Sequence, residues 1–425
     1  MPRYSDRQHL IRRVENGIAL YAPYLHNDVV CCLILHLVHF RWKLLSNRYL
    51  ERPKTYKNHS LTLDNAYRFP QHEQTHLHLF RVSSTELDRL VNLFGCDPVF
   101  QSTGRKPQTP TKLQFAVFMN RMAHGEPEES IAHRFDLPKG DVAHFYDSCL
   151  LAIVRRSPEF IAWPDRTERD RIKYAVQDLW GLPNCVGFID GSHINLAQAP
   201  AKPERGAATF WTRKSRYGML LLAVVDHLRR FTYIQYGYSA RTSDMRAQQA
   251  SPLHTKPDDF FSPDEYILGD AGIMCTPTVI AMFRRARGQA SLTENQTFFN
   301  FKAAKARVMV EQAFGILKAR FSILRSANMR MRTEKDDKRM ILTMNAACIL
   351  HNLLLRSWRA VLNADDLQSI MHEDREVRAE RLRHGDYFRQ FPEQYRRREE
   401  VVRPNVCAME TTLDSFQSST GGEKR

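Results

Sequence analysis

Apolar positions recur at helical spacing over much of the first 155 residues, and near residue 185 they give way to short unbroken apolar runs. An apolar segment around 28–41 predicts a helix, followed by Arg41, Lys43, Arg48, Arg52 and Lys54. Ser83 opens an S-x-x-E capping box, so a helix is expected from there to about Leu93, with Leu87, Leu90 and Val91 on one face. After a proline-rich stretch at 107–110, three helices are expected over Leu113–Ala123, Glu128–Phe135 and roughly 140–152. Gly125 ends the first, and Leu137, Pro138 and Lys139 turn the second into the third. The spacing of Ile131, Ala132, Phe135, Leu137, Val142 and Phe145 suits a helix-turn-helix core and equally any small helical bundle. Lys139 and His144 are its candidate groove readers, and two such residues make a weak probe of DNA.

The second half reads as strands alternating with helices. Val186–Ile189 is a short buried strand expected to end at Asp190-Gly191. Tyr217–Val225 and Phe231–Tyr236 are two strands joined by Asp226–Arg230, a joint of hairpin length. A helix from about Asp244 precedes a fourth strand, Glu265–Leu268, which ends at Gly269-Asp270. Thr276-Pro277 signals another helix, closed by Gly288. Two long helices follow, Lys305–Leu324 and Met340–Leu355. Beyond about 365 the chain is a charged tail with a Ser-, Thr- and Gly-rich end, expected to be disordered. The order strand, strand, strand, helix, strand, helix is that of a ribonuclease-H-like α/β domain, with a mixed sheet flanked by helices. The expected organisation is a helical, basic extension at 1–75, an all-α helix-turn-helix-like domain at 76–155, the α/β domain at 180–358 and the tail at 366–425.

Composition narrows the function. In 425 residues, 43% hydrophobic content allows a substantial core, and 62 Lys plus Arg against 47 acids gives a formal charge of +15. Such an excess attracts polyanions, because condensed counterions are released on binding. The 8 cysteines form no C-x-x-C pair, which excludes a zinc knuckle and favours a reducing compartment. The start of the chain lacks the apolar core of a signal peptide, and Val29–Leu35 is too short an apolar run to cross a bilayer, so a soluble intracellular protein without a membrane partner is expected.

Three acids occupy special positions. Asp190 and Asp270 each follow a strand and precede a glycine or small residue, and adjacent parallel strands would bring the two carboxylates close. Glu311 lies at the edge of a buried helical stripe of Val310, Ala313, Phe314, Leu317 and Phe321, beside Arg307 and Lys318. Three converging carboxylates repel one another unless a cation joins them, and hard oxygen ligands suit Mg²⁺ or Mn²⁺. A pair of such ions serves phosphodiester transfer. Taken one at a time, Asp before Gly is also a turn signal, and a helical Glu beside Arg and Lys is also a solvated ion pair.

The motifs carrying these acids resemble those of the PIF/Harbinger transposase family. Val186–Ile194 (VGFIDGSHI) is similar to its first-acid motif, Tyr266–Gly272 (YILGDAG) to its second and Arg307–Leu324 (RVMVEQAFGILKARFSIL) to its third. Ala346–Asn352 resembles its closing A-A-C-x-L-H-N segment, Gly237–Arg246 (GYSARTSDMR) its turn before strand four, and the likeness covers about 80–350. The resemblance implies a divalent-metal-dependent DDE endonuclease of ribonuclease-H-like fold, cutting DNA by hydrolysis or strand transfer. Asp190, Asp270 and Glu311 would be the catalytic acids and ligands of Mg²⁺ or Mn²⁺, two ions by the family's chemistry. DNA, such as transposon ends, is the implied partner, with a Myb-like DNA-binding protein and further copies of the chain as candidate associates. The implied compartment is the nucleus, alone or shared with the cytoplasm. The alternative is a domesticated DNA-binding or scaffold protein that has lost cutting. Asp244 is expected to cap a helix rather than bind metal. His193, Arg307 and Lys318 are candidates to line the site or hold phosphate, with a structural role as the alternative; Trp211 with Arg213, Lys214 and Arg216 is a candidate to meet DNA, with a solvated loop as the alternative. The chain departs from the family pattern at Ile273, where an aromatic is usual, and at Asp136, where a turn glycine is ordinary.

Overall fold

A computed structural model describes residues 6–25, 28–46, 72–102, 108–200, 206–212, 215–285, 291–327, 331 and 333–361. Arg48, Arg52, Lys54, Arg213, Lys214, Gly288 and the tail at 366–425 lie outside these. The chain divides into two units, residues 1–58 and 59–425.

The first unit contains helices α1 (Asp6–Tyr21) and α2 (Asp28–Ser46), joined by an Arg41–Glu15 ion pair of 2.7 Å. The expected apolar helix is therefore present and runs further than its apolar run of seven residues implied. At 19 residues α2 is long and apolar enough to cross a membrane by length and composition. Leu44 is its buried residue, while Val29, Leu35 and Trp42 are exposed.

In the second unit α3 (His72–Phe80) is followed by α4 (Ser84–Phe94), the latter opened by the expected capping box of Ser83 and Glu86. Helices α5 (Thr111–His124), α6 (Glu128–Phe135) and α7 (Lys139–Val154) form the three-helix pattern read from the sequence. Asp136 ends α6 in the left-handed region at φ 54°, the conformation that glycine adopts at least cost. Helix α8 (Arg166–Trp180) follows, with its Ile172, Val176 and Trp180 face buried.

The sheet has 5 strands in the order β3-β2-β1-β4-β5. Strands β1 (Cys185–Leu196), β2 (Tyr217–Val225) and β3 (Phe231–Ser239) are antiparallel neighbours, whereas β1, β4 (Tyr266–Gly269) and β5 (Val279–Ala281) run parallel. Helix α9 (Asp244–Gln249) lies between β3 and β4, and the long helices α10 (Glu294–Arg320) and α11 (Glu334–Leu354) complete the fold, which is ribonuclease-H-like. The β2–β3 joint is closed by Asp226, whose carboxylate accepts from the Leu228 and Arg230 N–H groups and from Arg230 Nε at 2.6 Å.

Two expectations are corrected. Strand β1 does not stop at Asp190-Gly191. It continues to Leu196 because β2 pairs with it from Phe188↔Val225 to Leu196↔Tyr217. The segment after Thr276-Pro277 is not a helix. Val279, Ile280 and Ala281 add a strand to the open edge of β4, where three backbone pairings and an apolar sheet outweigh a proline's start signal.

One hydrophobic core joins the helices of residues 72–180 to the sheet. Phe94, Phe118 and Ile153 belong to the same buried cluster as Phe188, Val310 and Ile349. On α10, Val310, Ala313, Phe314 and Leu317 are buried, as is Phe321 just beyond it, so the predicted stripe fixes the helix against β1, β2 and β4.

Candidate active site

Register places the first two acids. Ile189 on β1 pairs with Gly269 on β4, so Asp190 and Asp270 are the next residues on adjoining parallel strands, whose spacing is about 4.8 Å. Beyond them β1 carries on with β2, and β4 turns away. That turn fixes Asp270: its Oδ1 accepts from the Gly272 N–H at 2.7 Å and the Ile273 N–H at 3.1 Å. Asp190 Oδ1 accepts from the Gly191 N–H at 2.9 Å.

The third acid comes from α10. Arg307 Nη2 stands 3.2 Å from Asp190 Oδ2 and 3.4 Å from Glu311 Oε1, so one guanidinium bridges the strand acid and the helix acid. Arg307 and Asp190 are largely buried, whereas the Glu311 side chain is 49% exposed. Arg307 sits in the centre of the constellation rather than on an outer DNA-facing surface.

A fourth carboxylate enters from α9. The helix is capped by Ser243, whose hydroxyl accepts from the Arg246 N–H, and not by Asp244 as expected. Freed from capping, Asp244 turns toward β1. A Cβ at position 191 would stand 2.0 Å from Asp244 Oδ1 and 2.5 Å from its Cγ, so the carboxylate rests in the space that glycine leaves beside Asp190. The glycine of the Asp-Gly pair thus serves close approach and not a turn. Sequence reading missed Asp244 because Asp at a helix start is a ready capping signal, and Gly191 records the approach without naming the partner.

The charges interact. Burial pushes the Asp190 carboxyl up to about 6. Arg307 and the Gly191 N–H oppose that rise, and the charges of Asp270 and Asp244 add to it. Burial also raises Asp244, and the nearby Asp270 charge raises it further, against His193 and Arg307. A carboxyl this reluctant to ionise beside other acids is a mark of a functional site. Among the described residues, no three His, Cys, Asp or Glu side chains are already gathered as a finished metal site. Arg307 supplies the local positive charge instead. The donor set fits a hard divalent cation all the same: every donor is a carboxylate oxygen, and Gly191 leaves room beside Asp190.

The remaining predicted residues have plain placements. Lys318 Nζ donates to Ser192 Oγ at 2.7 Å and the His193 carbonyl at 2.8 Å, tying α10 to β1. His193 Nε2 lies 3.1 Å from the Ala240 carbonyl, which anchors the loop leading to Asp244. Lys139 pairs with Glu129 on the surface and His144 is exposed, both on the three-helix unit. Trp211 is exposed and meets Tyr217 edge-on at 4.8 Å. The closing A-A-C-x-L-H-N segment is structural. Asn352 donates to the Phe160 and Phe231 carbonyls and accepts from the Phe231 N–H, while His351 Nε2 lies 2.9 Å from the Arg229 carbonyl, so α11 clasps the start of β3.

Residues 189–352 match the model of the DDE superfamily endonuclease family. The Arabidopsis thaliana protein named Antagonist of Like Heterochromatin Protein 1 is 23% identical over 297 residues, covering 65% of this chain and 72% of its own length. A second Arabidopsis thaliana protein, ALP1-like, is 23% identical over 294 residues, 65% of this chain and 70% of the relative. HARBI1 of Xenopus laevis, named as a candidate nuclease, is 19% identical over 320 residues, 74% of this chain and 86% of its own. No solved structure matches. The matched segment spans β1 to α11 and contains Asp190, Asp270 and Glu311, so residues 189–352 form a domain of the DDE superfamily endonuclease family.

Proposed function

We propose that this chain is a divalent-metal-dependent endonuclease that cuts DNA phosphodiester bonds, by hydrolysis and with the capacity for strand transfer. The observation that carries this reading is the register Ile189↔Gly269, which sets Asp190 beside Asp270, together with Arg307 linking Asp190 to Glu311. Asp190, Asp270 and Glu311 are the proposed catalytic acids and ligands of Mg²⁺ or Mn²⁺. Two such ions, when bound, would activate an attacking water or 3′-hydroxyl and stabilise the leaving oxygen. The chain's own part is to hold the carboxylates in place. Backbone N–H groups fix Asp270, α10 carries Glu311 on a helix buried along its other face, and Lys318 locks that helix to β1. Arg307 offsets one of the acids' charges until cations enter and would then be free to face a phosphate oxygen.

The positive excess of the chain supports DNA as substrate, transposon ends among the candidates. The weak polar display of the three-helix unit, with Lys139 paired to Glu129, supports reliance on a separate DNA-binding partner such as a Myb-like protein, and nuclear action follows from that substrate.

A second reading has its own support. A relative is named as the antagonist of a heterochromatin-protein-like factor, which favours a chromatin-associated protein that retains the fold without cutting. Incubation of labelled DNA with Mn²⁺ or Mg²⁺, beside Asp190→Ala, Asp270→Ala and Glu311→Ala variants of equal folding, separates the two. Nicking that needs metal and disappears in every variant supports the nuclease. Intact DNA binding with neither nicking nor calorimetric metal binding leaves the second reading.

A further inference from the structure

We propose that Asp244 is a fourth carboxylate of the metal site, completing it from α9. This rests on the nuclease reading above, and extends it from three acids to four.

The inference stands on three features of the fold. The carboxylate fills the space above Gly191, where any side chain larger than hydrogen would collide with it: a methyl carbon there would lie 2.0 Å from Oδ1 and 3.0 Å from Oδ2. Both oxygens therefore face β1 immediately after Asp190. Next, the capping role that would explain an acid at a helix start is already filled by Ser243. No hydrogen bond or ion pair holds the Asp244 carboxylate among the described residues, although it is half-buried. Finally, the loop that delivers it is built to a fixed geometry. Ala240 N–H donates to the Gly218 carbonyl at 3.2 Å, and the Ala240 carbonyl faces His193 Nε2 at 3.1 Å, two residues beyond Gly191 on the same strand. A carboxylate set without a donor in a cradle of bare backbone, beside two further aspartates, is positioned for a cation.

Asp244 and Glu311 reach the strand acids from α9 and α10 respectively, and Arg307 accompanies the latter alone. Asp190, Asp244, Asp270 and Glu311 together would hold the divalent cations, with Asp244 and Glu311 contributed by two separate helices. Each ion would keep the open positions that a phosphate and a water need.

The test is calorimetric titration of Mn²⁺ into the full chain and into Asp190→Asn, Asp244→Asn, Gly191→Ala and Ser243→Ala, with thermal unfolding in EDTA and in Mn²⁺ as the folding control. Asp190→Asn is expected to abolish binding. Asp244→Asn and Gly191→Ala, which evicts the carboxylate without changing it, are each expected to weaken Mn²⁺ by about 10–100-fold or to halve its stoichiometry. Ser243→Ala, which removes only the helix cap, is expected to bind as the parent chain does. If Asp190→Asn loses Mn²⁺ while Asp244→Asn and Gly191→Ala bind it as tightly as the parent, the fourth-carboxylate proposal is overturned and the three-acid nuclease stands. If the parent chain takes up no Mn²⁺, the nuclease reading falls and this one with it. Should Asp244→Asn fail to fold, Gly191→Ala decides the matter by itself.

Discussion

Replacing Asp190 by Asn should stabilise the metal-free protein at neutral pH, although it removes the proposed central catalytic acid. The carboxyl titrates near 3.8 in an unfolded chain and is pushed up to about 6 in the fold, by burial first and by Asp270 and Asp244 beside it. Between those values the unfolded chain has released a proton that the folded chain still holds. Stability attributable to this group is therefore fully present below about pH 4 and is lost as pH rises through 6. A gap of about 2 pH units at ~1.4 kcal/mol each amounts to ~3 kcal/mol lost above pH 6. Asn resembles the protonated acid in shape and neutrality, and so escapes this loss. Arg307 keeps Glu311 as a partner in the variant. Urea unfolding in EDTA at a series of pH values measures the difference. The Asn variant is expected to exceed the parent by ~2–3 kcal/mol at pH 7.5 and to equal it at pH 4. Saturating Mn²⁺ should reverse the order at pH 7.5, because only the parent gains binding energy. An Asn variant less stable than the parent at pH 7.5 in EDTA would refute the reasoning, since Arg307 would then outweigh burial and repulsion.

Four further outcomes are expected. Glu265 is buried, and although burial alone would raise its carboxyl, the Ser262 N–H, Lys173 and Arg169 hold it below the ordinary range. Glu265→Gln should cost ~3–5 kcal/mol in urea unfolding at pH 7, because two cations lose their partner at a buried site. Asn352→Ala leaves three backbone groups of Phe160 and Phe231 without their bonds and should lower the melting temperature by several degrees and expose β3 to limited proteolysis. Asp136→Gly relieves a left-handed backbone and should raise stability by ~0.5–1 kcal/mol in the same unfolding assay. Asp190→Asn should bind a fluorescent DNA duplex more tightly than the parent in EDTA and more weakly in Ca²⁺, as read by anisotropy; equal affinities in both conditions would contradict the charge argument.

Most of the fold was legible because periodicity and punctuation agreed. The Ser83 capping box, the three helices between Thr111 and Val154 and the strand order followed from patterns that depend on local chemistry. Errors arose where a local signal had two meanings. Thr276-Pro277 resembles a helix start, but an open strand edge beside β4 captured Val279–Ala281. Asp190-Gly191 resembles a turn, but pairing with β2 kept it extended, and the glycine answers to Asp244, 53 positions further along the chain. Such long-range contacts leave no periodic trace. The three motif acids could be singled out because each ends a strand or edges a buried stripe. Asp244 could not, because what sets it apart is the emptiness of its neighbour. Arg307 pairs with Asp190 and Lys318 ties α10 to β1, but a sequence cannot tell a lysine that ties helix to strand from one that awaits phosphate.

Charge balance explains why an Arg sits where a catalytic cation is proposed. Asp190, Asp244, Asp270 and Glu311 against Arg307 leave three net negative charges when all ionise. In that state the site repels a DNA phosphate, whatever the +15 charge of the whole chain does at longer range. Two divalent ions would change the local sum from minus three to plus one. On the nuclease reading, metal entry would then create the attraction for phosphate and would free Arg307 from its bridge. A bare triad of acids with no arginine would remain more strongly repulsive and harder to fold, while a second arginine would compete with the ions. One guanidinium shared between Asp190 and Glu311 would meet both demands in the proposed nuclease, permitting folding without metal and giving way when cations and DNA bind.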